Sequence, residues 1–294
     1  VNEIKKFKYN GHFKNSTINS SDIKAPITNL DIQIESFFEG NIDEIKFKDL
    51  KAKSLENELI TDLFFKFSES LNDSDIALEL KSFDSSTTFL YSLFPELFGT
   101  VIPSAFRNIG KIEMKGIFTK NDDIIFSNAD IKTEFGVIDY DIKMSNLKNI
   151  NFANYQGSFN GKSFDLAKII NLPFELQSDF NFNINGQGFD EENLKSSVVG
   201  QMNNVAINSY SYKKIIINGD VRDKLFTGSL IVDDDNLNLN FDGLINYSND
   251  LVEYDFNTNI KKANLSEINL TGVDGQSVFG NINAKLIGEN FQSM

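Results

Sequence analysis

In Val252-Glu253-Tyr254-Asp255-Phe256-Asn257-Thr258-Asn259-Ile260, the parity holding Val252, Tyr254, Phe256 and Ile260 is mostly apolar, and Glu253, Asp255, Asn257 and Asn259 fill the other parity. Successive side chains of an extended strand point to opposite faces, so this segment is a strand with one greasy face and one wet face. The same period recurs along the chain. Ile32 and Ile34 show it, as do Ile76, Leu78 and Leu80, then Ile138, Tyr140, Ile142 and Met144. Phe180, Phe182 and Ile184 follow, then Leu237, Leu239 and Phe241, and a final strand is expected near Val278 to Ile287. Between these runs lie Asn121-Asp122-Asp123, Asp233 to Asn236 and Ser248-Asn249-Asp250, the turn chemistry of antiparallel meanders.

Two segments depart from this period. Thr88 to Asn108 has apolar spacing of helical type, and its greasy part, Phe89 to Phe106, is interrupted by Ser92, Pro95, Glu96, Pro103 and Ser104. It is too broken to span a bilayer and reads as a short helix pair or an amphipathic lid. Ser163 to Ile170 reads as a second short helix with Ser163 as its N-cap.

Three further stretches repeat one pattern: Lys8-Tyr9-Asn10-Gly11-His12-Phe13, Glu113-Met114-Lys115-Gly116-Ile117-Phe118 and Ile216-Ile217-Asn218-Gly219-Asp220-Val221. Their glycines lie 105 and 103 positions apart. Repetition of a strand unit suggests an extended assembly that works through a surface. A sheet with one apolar face hides it against a second sheet, in a closed barrel, or in a groove filled by something else. Little helix is available to cover a sheet, and the unit recurs. The expected fold is therefore all-β: an elongated, curved antiparallel β-groove over residues 1–294 with one or two short helices, repeat starts near Gly11, Gly116 and Gly219, and no linker. Phe, Ile and Leu would line such a groove, which suits acyl chains.

Composition narrows the function. With 28 basic and 42 acidic residues the net charge is −14, which argues against binding nucleic acid or an anionic lipid surface through bulk charge. No cysteine is present, so disulfides, thiolate metal sites and thiol chemistry are excluded. Twenty-eight Phe beside no Trp, together with abundant Ile, Asn and Lys, fits an AT-rich coding sequence. The sequence begins at Val1 and shows neither a signal segment nor an apolar run of spanning length.

Motifs that carry chemistry are weak. Gly157-Ser158-Phe159-Asn160-Gly161-Lys162-Ser163 has three residues between its glycines where a phosphate loop has four, and it reads as a turn entering a helix. Gly186-Gln187-Gly188 lacks the third glycine of a dinucleotide fingerprint and reads as a turn. Asp233-Asp234-Asp235-Asn236 offers oxygens to calcium but lacks the loop glycine and distal Glu of a helix-loop-helix site, so a solvated turn is the expectation. His12, the single histidine, has no Ser or Cys neighbour to activate and cannot alone build a zinc site. No catalytic, cofactor-binding or metal residue is assigned, and the chain is expected not to be an enzyme and to need no cofactor.

The C-terminal half carries a resemblance. Asn193-Leu194 through Val198-Val199-Gly200-Gln201-Met202, then Tyr210 to Gly219, Leu225 to Leu230, Asp234 to Ile245, Tyr254-Asp255-Phe256 and Ala263 to Leu270 resemble the TamB family, and within it the TamB proteins of the Bacteroidetes, a branch of the AsmA-like envelope proteins. The likeness extends from about Gly161 onward and is looser before it. It implies a repeating β-groove that crosses the periplasm, anchored to the inner membrane by a segment outside this sequence. It further implies an outer-membrane barrel partner of the TamA or BamA type met through other regions, and roles in phospholipid transport, outer-membrane biogenesis and protein secretion. On that reading Ile138, Tyr140, Ile142, Phe180, Phe182, Ile184, Leu237, Leu239, Phe241, Tyr254 and Phe256 line the groove, and phospholipid acyl chains are the partner. The competing expectations are a scaffold that pairs sheet edges with barrel strands and carries no lipid, and an unrelated β-sandwich adhesin.

Overall fold

Alternating segments become strands throughout the computed structural model, which describes residues 4–18, 27–68, 74–93, 109–170, 175–189, 192–248 and 251–288. The chain divides into two compact units, Val1–Ser145 and Asn146–Met294. The first carries β1 (Ile4–Ile18), β2 (Ile27–Gly40), β3 (Glu44–Ser54), β4 (Asn57–Lys66), β5 (Asp75–Ser86), α1 (Thr87–Leu93), β6 (Lys111–Asn121), β7 (Ile124–Thr133) and β8 (Gly136–Ser145). The second carries β9 (Asn154–Asp165), α2 (Leu166–Ile170), β10 (Gln177–Gln187), β11 (Lys195–Ile207), β12 (Tyr210–Arg222), β13 (Leu225–Asp233), β14 (Leu237–Asn246), β15 (Val252–Asn264) and β16 (Ser277–Gly288). Inside each unit every strand pairs antiparallel with its neighbour in sequence, and the last described strand does not return to pair with the first. The fold is all-β: among the described residues, open antiparallel meanders with two short α-helices.

Within each unit no second sheet packs on the first among the described residues, yet Leu80, Phe180, Met202, Val205, Ile215 and Val232 are buried. A flat single layer leaves such side chains half in water. Their burial requires each sheet to curl so that rows on one face close over one another. Register defects show where the bend falls. In unit 1 the ladder slips between Glu35 and Phe37, Phe47 and Leu50, Ile60 and Thr61, and Leu80 and Phe83. Such bulges bend a strand and sharpen its twist. Beside them, Ser36, Thr61 and Leu80 are buried on the inner face, in the row that continues through Gly116 and Ala129. Small side chains let the sheet close at this crease. Hydroxyls there stand in for lost ladder bonds: Thr61 Oγ1 donates to Glu79 O at 2.9 Å and Ser36 Oγ to Phe37 O at 3.1 Å.

Unit 2 bends by bulges at Lys162–Ser163 in β9, Asn204 in β11 and Lys261 in β15. Its core is larger and gathers toward one end of the strands. Phe164, Ala167 of α2, Val205, Tyr212, Ala263 and Ile268 are buried there. The turn after β15 is tied to the β11–β12 turn, since Asn269 Nδ2 donates to Asn208 O at 2.9 Å.

Local expectations need correction at Gly186-Gln187-Gly188, read as a turn, where Gly186 and Gln187 instead close strand β10 and Gly186 pairs with Tyr155 and Ser196, and at β9. Ser163 does not cap a helix. It has φ 49° as a bulge residue inside β9, and α2 begins at Leu166. The Gly157–Ser163 segment is strand, not a turn entering a helix, because its residues pair with β10 through Gly157↔Ile184, Phe159↔Phe182 and Gly161↔Phe180. The helical expectation at Thr88–Asn108 is met at its start by α1, which runs Thr87–Leu93 and is N-capped by Ser86, whose Oγ accepts the Phe89 N–H at 3.1 Å; residues 94–108 lie outside the described residues.

Candidate functional site

The register assembles one face of unit 2 from rows that cross all eight strands. One row runs Gly161, Phe180, Met202, Ile215, Val232, Leu239, Ile260, Gly280. The next runs Phe159, Phe182, Gly200, Ile217, Leu230, Phe241, Thr258, Ile282. A third contains Ile184, Val198, Gly219, Gly228, Gly243, Phe256 and Ala284. None of these residues is charged. In unit 1 the corresponding face takes Leu78, Leu80, Met114, Phe118, Ile131, Ile138, Tyr140 and Ile142, and its one charged member among the described residues is Lys120, at the rim, whose Nζ donates to Ser74 O at 3.0 Å.

Glycines on this face are seats for aromatic rings. A Cβ on Gly161 would run into the ring of Phe180, one on Gly200 would come within 2.5 Å of Phe182 Cδ1, and one on Gly228 within 2.8 Å of Phe226 Cζ. Gly219 lies under the same Phe226 ring and Gly243 under Phe241. Each ring lies across a strand instead of standing up from it. The face is thereby smooth, and Phe180 stacks on Phe182 with centroids 5.1 Å apart while Phe164 meets Phe180 edge-on at 5.9 Å.

All eleven groove residues expected from the sequence fall on these two faces. Ile138, Tyr140 and Ile142 lie on β8, Phe180, Phe182 and Ile184 on β10, Leu237, Leu239 and Phe241 on β14, and Tyr254 and Phe256 on β15. Phe180 is buried and the other ten are half-buried. Phe164, Val205 and Tyr212 were missed because a bulge or bend shifts the alternation by one, so that Phe164 shares a face with Gly161 and Val205 with Met202. Gly11, Gly116 and Gly219 fall on β1, β6 and β12, so the two intervals hold five and six strands.

The opposite face differs between the units. In unit 2 it is lined with amides: Asn160 and Asn181 hydrogen-bond side chain to side chain, Asn259 Nδ2 donates to Asn281 Oδ1 at 2.5 Å, and Asn257 pairs with Asn283 in the ladder. In unit 1 it mixes lysines with aromatics, Lys46 Nζ sitting 5.4 Å from the Phe64 centroid and Lys143 Nζ 5.2 Å from that of Phe126.

Carboxylates on this opposite face have structural partners. Asp62 accepts the N–H of the bulge residue Asp49 at 2.7 Å and Lys81 Nζ at 2.6 Å. Burial works to raise its pKa, but Lys81, the Asp49 N–H and nearby Lys48 outweigh that and lower it. Asp179 accepts the Ser163 N–H at 2.8 Å and Asn204 Nδ2 at 3.0 Å, and these two bonds hold its carboxyl below the usual range. In the expected turn at Asp233–Asn236, Asp234 is buried and accepts Tyr210 OH at 2.5 Å, Lys213 N–H at 3.0 Å and Asn236 N–H at 2.9 Å. Its pKa is lowered, burial opposing and these donors prevailing. Both oxygens of Asp234 are thus used by the chain. Among the described residues no group of three or more His, Cys, Asp or Glu is arranged to hold a metal ion. His12 is exposed on β1 and its Nε2 lies 2.5 Å from Asp31 Oδ1.

Compared with family models, with curated proteins and with solved structures, the chain finds no significant match. Among the described residues, no helix is long and apolar enough to cross a membrane.

Proposed function

We propose that the curled apolar faces shield lipid acyl chains, and that the chain is a section of a TamB-like periplasmic bridge that moves phospholipid between inner and outer membranes and supports outer-membrane protein assembly. One observation carries this reading: in unit 2 every described strand contributes to an uncharged face that no second sheet of the same unit covers among the described residues. A surface of that extent calls for an apolar occupant. The rings laid over glycines favour a flexible chain without hydrogen-bonding groups, because they present a smooth wall with few polar atoms. Movement would be passive sliding, with direction supplied elsewhere.

The test is native mass spectrometry with lipid extraction on protein purified without detergent. Phospholipid is expected at near-stoichiometric amounts. Phe182→Arg and Phe256→Asp, at half-buried positions in neighbouring rows, should each remove most of it, since an unpaired charge among acyl chains costs about several kcal/mol. A lipid-free monomer, or charge variants that fold and keep their lipid, would overturn the conduit and leave the edge-pairing scaffold as the better reading.

A further inference from the structure

The face of unit 2 opposite the apolar rows carries a band almost without charge. Two neighbouring rows cross its eight strands there, one from Asn160 through Asn181 and Asn240 to Asn281, the other from Ser158 through Asn183 and Asn218 to Asn283. Asp242 is the one charge in either row, and amides fill most of the other positions. Charges return in the rows on each side, Asp220 and Asp255 in one, Asp179, Lys214 and Asp233 in the other. An AT-rich coding sequence does not explain the band, because it would supply Lys as readily as Asn, and the band has no Lys. The same face of unit 1 follows the ordinary solvated pattern. In its row Asp62, Glu79, Ile117, Asn128, Asp141, three of the five positions are charged. The middle of the band in unit 2 is apolar: Val199 of β11 lies diagonal to Ile216 of β12, which pairs with Ile231 of β13. Val199 and Ile231 are 48 % and 38 % exposed. Amides of β10 lie to one side of this spot and those of β14 to β16 to the other.

We infer that this band is a docking surface for a linear glycan of neutral sugars. A pyranose ring has an apolar C–H face and a rim of hydroxyls that each donate and accept. Val199, Ile216 and Ile231 match the face, and amides, which also both donate and accept, match the rim. Charge selects the same partner. An anionic polymer is repelled by a chain of net charge −14, whereas a neutral one brings no charge that must be desolvated. A protein partner would seat on aromatic or Arg anchors at the centre of the patch, and the two rows hold neither. Side-chain hydrogen bonds join Asn160 to Asn181 and Asn259 to Asn281 across the strands. They hold the amides in place, so less side-chain freedom is lost on binding. Because the rows run across the sheet, a longer glycan meets more strands and binds more tightly.

The test is calorimetric titration of the full chain with cellohexaose and chitohexaose, two neutral linear glycans, and with their trisaccharides. Saturable binding is expected, several-fold tighter for a hexasaccharide than for its trisaccharide. Val199→Glu, at an exposed site, and the double variant Asn183→Ala with Asn218→Ala should each keep the circular-dichroism spectrum and weaken binding at least tenfold. Lys143→Ala, on the corresponding face of unit 1, should leave it unchanged. No saturable binding to either hexasaccharide overturns the proposal, as does unchanged affinity in the folded double variant. Self-association that Val199→Glu abolishes would make the band an interface between copies of the chain and overturn it too. All of this is read without lipid and on the face opposite the apolar rows, so it stands or falls separately from the acyl-chain reading.

Discussion

The bends of the two units can be superposed in chemistry, and they differ in what fills them. In β3–β5, Lys48 and Asp49 bulge opposite Asp62, whose neighbour Thr61 points to the crease; in β9–β10, Lys162 and Ser163 bulge opposite Asp179, whose neighbour Ser178 does the same. Asp49 and Ser163 have φ 50° and 49°, and both leave an N–H outside the ladder that a carboxylate collects. An Asp behind the bend is thus a device that these two bends share, because it satisfies a backbone donor that a bulge would otherwise leave unpaired. On the inner side the two diverge. Unit 1 closes over hydroxyls and small side chains, unit 2 over Phe164, Phe180 and Met202.

Truncating the residue that follows each bulge should separate the two bends most strongly. Phe164→Ala removes a ring that is 2 % exposed and should cost about 3–5 kcal/mol. Leu50→Ala, at the half-buried equivalent, should cost about 1–2 kcal/mol. Hydrogen exchange resolved by strand reads both, and equal losses would mean that the closed end of unit 2 contributes nothing special.

The hydroxyls give a smaller effect of opposite sign. Thr61 Oγ1 is bonded to Glu79 O, whereas the buried Ser178 Oγ finds no partner. Thr61→Val should therefore destabilise by about 1 kcal/mol and Ser178→Ala should be neutral or stabilising by a similar amount. Chemical denaturation distinguishes them, and a destabilised Ser178→Ala would show that its hydroxyl has a role in the fold.

The smallest effect is electrostatic. Asp62 and Asp179 have pKa values below the ordinary 3.8, so each contributes stability that is complete above that value and is lost as pH falls through the lowered one. Both bends should loosen in acid below about pH 4. Salt should tell them apart. Beside the backbone N–H that both accept, Asp62 is held by the half-exposed Lys81, an ion pair that screening weakens, and Asp179 by an amide. Exchange in β3–β5 should quicken several-fold at 1 M salt and exchange in β9–β11 hardly at all; the reverse order would break the analogy.

Most of the strands and their facing were legible in the sequence because period two survives wherever a strand is straight. Ile138 through Ile142 and Phe180 through Ile184 show this. What was illegible lies at the bulges. Ser163 followed by apolar residues reads as a helix cap, and only pairing with β10 reveals an αL bulge. Likewise Asp62 and Asp179 look like two more acids in an acidic chain, since their significance depends on strands that face them from 13 and 16 residues away. The shared bend was therefore invisible, while the spaced glycines at 11, 116 and 219 attracted notice.

By itself the sequence determined that this chain is built of antiparallel strands with one apolar face, since side-chain alternation is a property of the extended backbone and needs no partner. Tertiary structure decided the rest: where each sheet bends, which glycines seat rings, and which carboxylates collect stray N–H groups. Those depend on register, and register is set only when neighbouring strands meet.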